Sequence, residues 1–466
     1  MVAPRAAGIV ATAVALLSTA ASRAQDRPEQ DPAPAAPAPP SARTLHQLRQ
    51  DLAAAVDLPT PGARAAAAAA LAGRGDVDLD SWLLVCRSFA PRDPLPAGAH
   101  VLQLDLPVQG AIEPTEVHVY VPPAGPPDGA GDRPRGPAPL LLWGHGAGGD
   151  GAGQHQLWRA VADRLGMVVV APTEAGDAGG WGFTARERAA QLAALRAVRR
   201  RVDVDEDRVY VGGVSRGGHM AWDLLLRHPD LFAAALPCIG GPRLQIGAQC
   251  NLRYLENAVH VPIRDLQGSQ DDPLLLANLR LCFARLAAAG GADQELIEFE
   301  DRGHGFDLAA VDWAEFLQVR RDPERARVVR MAARADEARS AWLEITGFGK
   351  SVEEEFTLRV GQRRWERLDE DGQRELVLDE ALRRTARAVA TRTEPGRFTL
   401  DVRGAVHARL WLSEALLGDA TEIVAKWGNR TVRRPVERSA AVLLADFVER
   451  FDRRFLPVAA ATVGQR

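Results

Sequence analysis

Residues 209–222 read VYVGGVSRGGHMAW, an apolar run that leads into an amphipathic helix. Gly213, Ser215 and Gly217 form a G-x-S-x-G motif at the junction. In that context the serine lies on a strained strand-to-helix turn, which exposes its hydroxyl at the carboxyl edge of a sheet. The flanking glycines let the backbone crowd there. We therefore predict that Ser215 is a nucleophile; the alternative is that it only caps the helix.

A serine hydroxyl is a weak nucleophile at neutral pH and needs a neighbouring base. His304 follows the apolar run at residues 295–300 and lies in a loop between Gly303 and Gly305. A histidine on a loop at the end of the last core strand can reach over the serine turn. His304 is therefore the predicted base, and an ordinary surface-loop histidine is the alternative.

The carboxylate that orients the base is expected between the serine and the histidine along the chain. Residues 261–274, VPIRDLQGSQDDPL, supply a strand, a glycine turn and three candidate acids. Asp271 is preferred because it follows the strand after a tight turn, while Asp272 is one residue away and Asp265 lies within the strand. An ionised acid in this place would fix the imidazole tautomer and stabilise the imidazolium that forms.

A second glycine-rich stretch, LLLWGHGAGGDGAG at residues 140–153, has two interpretations. Gly146, Gly148 and Gly151 match G-x-G-x-x-G, the phosphate loop of a dinucleotide-binding fold, and Glu174 follows the next apolar run. The same residues read His-Gly-x-Gly-Gly, which is typical of the oxyanion loop of an esterase. Two strands precede this stretch, whereas a dinucleotide loop follows the first strand of its fold, so the esterase interpretation is favoured.

The esterase interpretation gives three backbone amides a role. Those of Gly146 and Ala147 would join the amide of Arg216 in stabilising an oxyanion. His145 would then hold the loop by hydrogen bonding rather than act as a base. Such a site requires neither a metal nor an organic cofactor.

Residues 99–321 alternate between short apolar runs and helical stretches, after two alternating strands at 100–106 and 115–121. This alternation predicts an α/β fold with a mostly parallel sheet that carries helices on both faces. Further strands are expected at residues 139–145, 167–172, 208–213, 232–237, 261–268 and 295–300. Helices are expected at residues 157–165, 185–200, 218–227, 274–289 and 308–319.

The flanking regions have different patterns. Residues 43–98 predict a short helical lead-in, which Pro59 and Pro61 divide. Residues 322–466 lose the helix alternation and predict a β-rich accessory domain, with Gly428-Asn429 at a hairpin turn. Residues 25–42 are a Pro/Ala linker.

The N-terminus is typical of an export signal. Arg5 precedes the uncharged apolar residues 6–21, and Ser22-Arg23-Ala24 offers small residues for cleavage before Gln25. We therefore predict a signal peptide at residues 1–24 and a secreted or periplasmic protein without membrane insertion after cleavage; an uncleaved anchor is the alternative.

Net charge and cysteine spacing bear on whether the protein binds nucleic acid or a metal ion. The formal net charge of −4 over 466 residues, without a basic run, argues against a nucleic-acid partner. None of the four cysteines forms a C-x-x-C pair, so no metal site is predicted. Cys238 and Cys250 would suit a disulfide in an oxidising compartment, and four buried free thiols are the equal alternative. The oligomeric state has no signal in the sequence.

Over residues 99–321 the chain resembles the α/β-hydrolase superfamily. The resemblance is carried, in the superfamily's order, by His145-Gly146, Gly213-Val214-Ser215-Arg216-Gly217-Gly218, Gly268-x-x-Asp271 and Gly303-His304. The serine segment looks most like secreted esterases of the polyhydroxybutyrate-depolymerase and feruloyl-esterase kind, and is similar also to prolyl-oligopeptidase-type catalytic domains. Those groups carry a histidine where this chain has Gln267.

The resemblance implies a serine hydrolase that cleaves small-molecule or polymeric esters through an acyl-enzyme. It implies that Trp181 and Phe183 line the substrate pocket, and that residues 240–260, which contain Tyr254, form a lid; ordinary loop packing is the alternative for both. A peptidase is the second candidate, disfavoured because helical residues, rather than a propeller, precede the sheet. A non-catalytic binding protein is the third.

A fourth interpretation gives the function to the C-terminal strands. They would bind a polymer or cell surface through Trp342, Trp411 and Trp427, although aromatic residues in strands more often pack in a core.

Overall fold

The structure is a computed structural model that describes residues 41–108, 111–123, 136–173, 183–291 and 293–465. The predicted signal peptide and residues 25–40 of the predicted linker lie outside these ranges. Ser41–Arg466 form one compact unit. In the described ranges we find no helix with the length and apolar character needed to cross a membrane.

The described chain begins with three helices, α1 (Ala42–Val56), α2 (Pro61–Ala72) and α3 (Leu79–Arg87). Thr60 starts α2, because its side chain accepts a hydrogen bond from the Ala63 amide at 3.2 Å. Pro61 occupies the first turn, where its missing N–H leaves no hydrogen bond unmade. The predicted helical lead-in, with a break at the two prolines, is confirmed.

The central sheet has eight strands among the described residues. They are β1 (Gly98–Val108), β2 (Ala111–Val121), β3 (Ala138–Gly144), β4 (Val168–Pro172), β5 (Val204–Val214), β6 (Ala234–Cys238), β7 (Ile263–Gly268) and β8 (Gln294–Phe299). Their order across the sheet is β1-β2-β4-β3-β5-β6-β7-β8. Strand β2 is antiparallel to β1 and β4, and the pairs from β4 to β8 are parallel. The predicted mostly parallel sheet is confirmed.

Both faces of this sheet are covered. Its helices are α4 (His155–Leu165), α5 (Ala185–Arg201), α6 (Arg216–Arg227), α7 (Pro273–Ala288) and α8 (Trp313–Phe316). Along β3, Leu140 and Leu142 belong to a hydrophobic core with residues of α5, α6 and α7. Leu141 and Trp143 point the other way, into a core with residues of α4 and α8. This alternation is the period of two expected of a strand buried on both faces.

One predicted helix is shorter than expected. Residues 308–319 contain a 3-10 turn, Leu308–Ala310, and the four-residue α8 instead of one continuous helix. Val311 between them is extended, and the Asp312 side chain accepts from the amides of Ala314 and Glu315. A cap in the middle of the segment starts a new helix there, which ends the preceding turn.

The C-terminal region adds two smaller sheets. Its strands are β9 (Arg327–Ala332), β10 (Arg339–Ser340), β11 (Leu343–Phe348), β12 (Ala386–Glu394), β13 (Arg397–Arg403), β14 (Ala405–Leu412), β15 (Glu422–Trp427), β16 (Arg430–Pro435) and β17 (Ala459–Gly464). The sheet orders are β10-β11-β14-β17 and β16-β15-β13-β12-β9. Gly428 has φ +55° in the two-residue turn between β15 and β16, so the predicted hairpin is confirmed.

The region beyond residue 321 is β-rich as expected, and it also contains helices that the sequence analysis did not predict. It contains α9 (Gln362–Trp365), α10 (Glu370–Arg383), α11 (Glu414–Leu417) and α12 (Ala440–Arg450). Leu443, Leu444, Phe447 and Val448 form the buried face of α12. This three-turn apolar face is a helical spacing that the surrounding strand patterns obscured.

The lead-in helices and the C-terminal strands share one hydrophobic core. Trp82 of α3 and Phe447 of α12 are buried in it together with side chains of both small sheets. Trp342 and Trp427 are buried in the same core, and Trp411 packs against it. The proposed tryptophan platform for a polymer is therefore not supported, because these rings serve packing.

Candidate active site

Ser215 lies on a strained turn between β5 and α6. Its φ of +55° and ψ of −115° fall outside the regions that a residue with a side chain ordinarily adopts. The Ser215 amide donates to the Cys238 carbonyl at 2.8 Å, and the His219 amide donates to the Ser215 carbonyl at 3.0 Å. The strain is therefore held by hydrogen bonds on both sides of the residue.

The glycines of the motif are required by backbone contact. A Cβ added at Gly213 or Gly217 would collide with neighbouring backbone, at 2.8 Å from the Gly144 carbonyl oxygen in the first case and 2.8 Å from that of His145 in the second. A Cβ at Gly218 would lie 2.6 Å from the Cys238 carbonyl. The turn that carries Ser215, called the elbow below, thus packs directly against the ends of β3 and β6.

Three predicted side chains meet at the carboxyl edge of the sheet. His304 Nε2 is 2.8 Å from Ser215 Oγ, and His304 Nδ1 is 2.9 Å from Asp271 Oδ2. An ionised carboxylate only accepts, so Nδ1 carries the ring proton and Nε2 accepts from the serine hydroxyl. Asp271 has 8% of its side chain exposed and His304 has 53%, so the acid is shielded while the imidazole is accessible to solvent.

Asp271 and Asp272 have different partners. Asp271 accepts a hydrogen bond from the imidazole of His304, whereas Asp272 Oδ1 accepts from the Leu274 amide at 2.8 Å and caps α7. Asp265, the third candidate, is buried within β7 and accepts from Trp222 Nε1 at 2.6 Å. The geometry therefore associates Asp271 alone of the three acids with His304.

The loops that carry the acid and the histidine are joined along their backbones. The Ser269 amide donates to the Phe299 carbonyl at 2.9 Å, and the Gln270 amide donates to the Arg302 carbonyl at 2.8 Å. Gly268 faces the second loop so closely that an added Cβ would collide with the carbonyl oxygens of Arg302 and Gly303. The absence of a side chain at Gly268 lets His304 reach Asp271.

The glycine loop lies beside the serine. A Cβ at Gly146 would be 3.6 Å from the Ser215 Cβ, which puts this backbone next to the elbow. Ala147 follows, and the loop turns back through a hydrogen bond from the Gly149 amide to the Gly146 carbonyl at 3.2 Å. Arg216 is the first residue of α6, and the first-turn amides of a helix point out of its N-terminus. Gly146 and Arg216 thus lie next to Ser215 on two different elements, and Ala147 follows Gly146 in the glycine loop.

Two other histidines lie near the site, and burial lowers the pKa of each. His145 is buried, its Nδ1 is 2.8 Å from the Gly146 carbonyl, and burial lowers its pKa. His219 accepts from the Gly241 amide at 2.9 Å, and burial, followed by the charge of Arg243, lowers its pKa to about 4. His145 therefore has the contacts of a loop-holding residue, as predicted.

The predicted substrate-binding residues have different outcomes. Trp181, like Glu174, lies outside the described residues. Phe183 is 4% exposed, and its ring meets the His219 ring edge to face at 5.9 Å, so it forms the layer behind His219. Its contact with substrate stays a prediction.

Residues 250–259 are buried apart from the half-buried Glu256, which does not suit a lid, whereas residues 243–249 are half-buried to exposed, with Ile246 56% exposed, and a lid there stays a prediction. Tyr254 is 2% exposed, and the guanidinium of Arg227 lies 5.2 Å from its ring centroid. Arg253 donates to Thr385 Oγ1 at 2.6 Å and to the Glu354 carbonyl at 3.0 Å. The segment fastens the central sheet to the C-terminal region.

Sequence reasoning did not find a polar cluster beneath the site. Gln267 Nε2 donates to Asp265 Oδ1 at 2.7 Å and to the Gly240 carbonyl at 3.0 Å. A Cβ at Gly240 would lie 2.6 Å from the His219 amide, so this backbone supports the first turn of α6. Burial raises the pKa of Asp265 to about 8. The cluster connects the helix that follows the serine to the strand that precedes the acid.

The remaining sequence alternatives concern cysteines and metals. Cys86, Cys238, Cys250 and Cys282 are buried free thiols, so the disulfide alternative is not observed. Within the described ranges, no group of three or more His, Cys, Asp or Glu side chains has the arrangement to hold a metal ion.

A mostly parallel sheet with a strained G-x-S-x-G serine at its carboxyl edge, and with acid and histidine following in chain order, is the arrangement of the α/β-hydrolase fold. The chain has this fold, as its sequence resemblance implied. No protein-family model and no curated protein matches the chain.

Solved structures with a similar fold include a thermostable esterase, a ferulic acid esterase and a puromycin-hydrolysing peptidase of Mycobacterium tuberculosis. The esterase shares 23% identity over 47% of this chain and 63% of its own, below two thirds of its length, with a TM-score of 0.36. The ferulic acid esterase shares 17% sequence identity over 47% of this chain and 98% of its own chain, with a TM-score of 0.38. The peptidase shares 21% sequence identity over 48% of this chain and 39% of its own chain, with a TM-score of 0.37.

Proposed function

We propose that the protein is a serine hydrolase that cleaves carboxylic esters through an acyl-enzyme. The single observation that carries the proposal is the hydrogen-bonded series from Ser215 Oγ to His304 Nε2, at 2.8 Å, and from His304 Nδ1 to Asp271 Oδ2, at 2.9 Å. A serine, a base and an orienting acid within these distances are what nucleophilic acyl transfer requires.

The proposed reaction has two steps. Ser215 Oγ attacks the ester carbonyl while His304 Nε2 takes the hydroxyl proton, and the Asp271 carboxylate stabilises the imidazolium. The amides of Gly146, Ala147 and Arg216 stabilise the negative charge on the carbonyl oxygen. The ester C–O bond then breaks, and the alcohol leaves with the proton from Nε2.

Water completes the cycle in the second step. His304 removes a proton from water, whose oxygen attacks the acyl carbon, and Ser215 leaves with the proton returned by Nε2. The carboxylic acid is released and the free enzyme is regenerated. Phe183 behind His219, and Trp181, are proposed to shape the pocket for the acyl or alcohol group.

The proposal is tested by labelling with a fluorophosphonate, which reacts with an activated serine. We expect the wild type to be labelled, Ser215→Ala to lose the label, and Ser269→Ala to keep it. Ser269 is a matched control because it lies in the acid loop and the structure assigns its hydroxyl no contact with the imidazole. Failure of the wild type to label would contradict the proposal.

Ester cleavage is measured separately with p-nitrophenyl esters and proline-containing amides. We expect turnover of the esters, and loss of about 10⁴-fold or more in Ser215→Ala. Turnover confined to the amides would replace the esterase with a peptidase. Export is proposed on the predicted signal peptide, and N-terminal sequencing of secreted protein should begin at Gln25.

A further inference from the structure

Arg243 lies in the segment that follows β6, near the turn that carries Ser215. Gly241, two residues earlier, donates its amide to the His219 ring at 2.9 Å, and His219 follows Ser215 by one turn of α6. The Arg243 guanidinium lies over the face of the Phe183 ring, 3.8 Å from its centroid. The Phe183 ring also packs on His219, with ring centroids 5.9 Å apart, so Phe183 and His219 connect the Arg243 guanidinium to the turn that carries Ser215.

Arg243 differs from its neighbours in its partners. Arg227 and Arg188 both contact the carboxylate of Asp223, at 2.9 Å and 3.3 Å. Within the described part of the chain, no carboxylate oxygen lies within 4.0 Å of the Arg243 guanidinium, and its side-chain hydrogen bond is a long one, 3.4 Å, to the Gln249 amide oxygen. The hydrogen-bonding capacity of the guanidinium fork is therefore largely unused.

The surroundings of Arg243 make such a charge expensive to keep. Burial lowers its pKa, the more distant Asp223 and Glu187 carboxylates oppose that effect, and the positive charge of Arg216 adds to it. A partly desolvated cation without a close counter-ion destabilises the fold on its own. Such a group is accounted for when its counter-ion arrives with a ligand.

We propose that Arg243 binds a carboxylate carried by the substrate, so that the site selects esters with a negatively charged group. The inference rests on the proposed function and adds the substrate class to it. A guanidinium presents two parallel N–H groups that match the two oxygens of a carboxylate. The Phe183 face holds the guanidinium plane by a cation–π contact, which fixes the direction of that fork.

The test compares charged and neutral esters of similar size. On the acyl side the pair is p-nitrophenyl hemisuccinate and p-nitrophenyl butyrate; on the alcohol side it is 4-acetoxybenzoate and phenyl acetate. In Arg243→Gln we expect the ratio of kcat/KM for charged over neutral ester to fall by about tenfold or more in one pair, as for loss of a charge-assisted hydrogen bond. The affected pair identifies the side that carries the carboxylate.

Two further variants keep the comparison interpretable. Arg243→Lys retains the charge without the planar fork and should keep part of the preference. Arg367→Gln removes an exposed arginine of the C-terminal region and should leave the ratio unchanged. An unchanged ratio in Arg243→Gln for both pairs would overturn the inference while leaving the esterase intact.

A binding measurement separates the inference from the activity. Titration calorimetry of 4-acetoxybenzoate and the hemisuccinate into Ser215→Ala reports the contact without turnover. We expect one of these ligands to bind about tenfold more weakly in the Ser215→Ala/Arg243→Gln double variant. If no ester is cleaved but this difference is found, the proposed function fails and the anion site stands. If binding of both ligands is equal in the two proteins, the anion site fails.

Discussion

Gly268→Ala should separate the acid from the base without touching either. An added Cβ would lie 2.5 Å from the Arg302 carbonyl oxygen and closer to that of Gly303, whereas real Cβ contacts stay above 3.0 Å. The histidine loop must therefore retreat by about 0.5 Å to clear Arg302 and further to clear Gly303. A retreat of about 1 Å along the 2.9 Å contact between His304 Nδ1 and Asp271 Oδ2 takes this pair beyond hydrogen-bond range.

Misplacement of a catalytic group by about 1 Å costs about 10²-fold in rate. We expect this loss in kcat for Gly268→Ala with p-nitrophenyl butyrate, while circular dichroism shows a folded protein. Gly305→Ala is the matched control, because it adds the same methyl group beside His304 where a Cβ meets nothing within 4 Å. Full activity of a folded Gly268→Ala, or an equal loss in Gly305→Ala, would refute the reasoning.

Two further predictions concern acids near the site. We expect Asp271→Asn to lower kcat by about 10⁴-fold because the imidazole loses its orienting carboxylate. We expect Asp272→Ala to keep its activity and to lose about 1 kcal/mol of unfolding free energy with the α7 cap. Ester kinetics and urea unfolding measure the two effects, and equal kinetic losses in both variants would contradict the assignment. Burial raises the pKa of Asp265 from 3.8 to about 8, so its stabilising contribution is complete below pH 3.8 and is lost as the pH rises to about 8. Asp265→Asn should remove this dependence of the unfolding free energy on pH. The prediction is contradicted if the unfolding free energies of wild type and variant differ by a constant amount between pH 3.8 and about 8.

The central sheet was predictable because its signals are local. Each predicted strand of this sheet is present in the structure, and from β3 onward each is followed by an α-helix or a 3-10 turn. The elbow was equally accessible, since Gly213 and Gly217 are required by contacts within a few residues of Ser215 and against the adjoining strand. Chain order then selected His304 from ten histidines, and it is the one hydrogen-bonded to Ser215.

Features that depend on distant segments were not predictable. The sequence preferred Asp271 but left Asp272 as an alternative, and the direction of each side chain assigns the first to His304 and the second to the cap of α7. No local pattern marks Arg243, because the positions of carboxylates around its guanidinium, none within 4.0 Å among the described residues, depend on segments distant in sequence. The helices α10 and α12 were missed because alternation on both sides favoured strands.

The joint core of the lead-in helices and the last strands has a consequence for how the chain is made. Trp82 and Val463 belong to one cluster although nearly the whole chain separates them, so neither end can bury its apolar surface until both have been synthesised. The apolar surface of α1–α3 therefore stays exposed until β17 has been synthesised. Binding to a chaperone, or export in an unfolded state, is compatible with such a chain. Removal of α1–α3 or of β17 should therefore yield insoluble protein rather than an isolated accessory fragment.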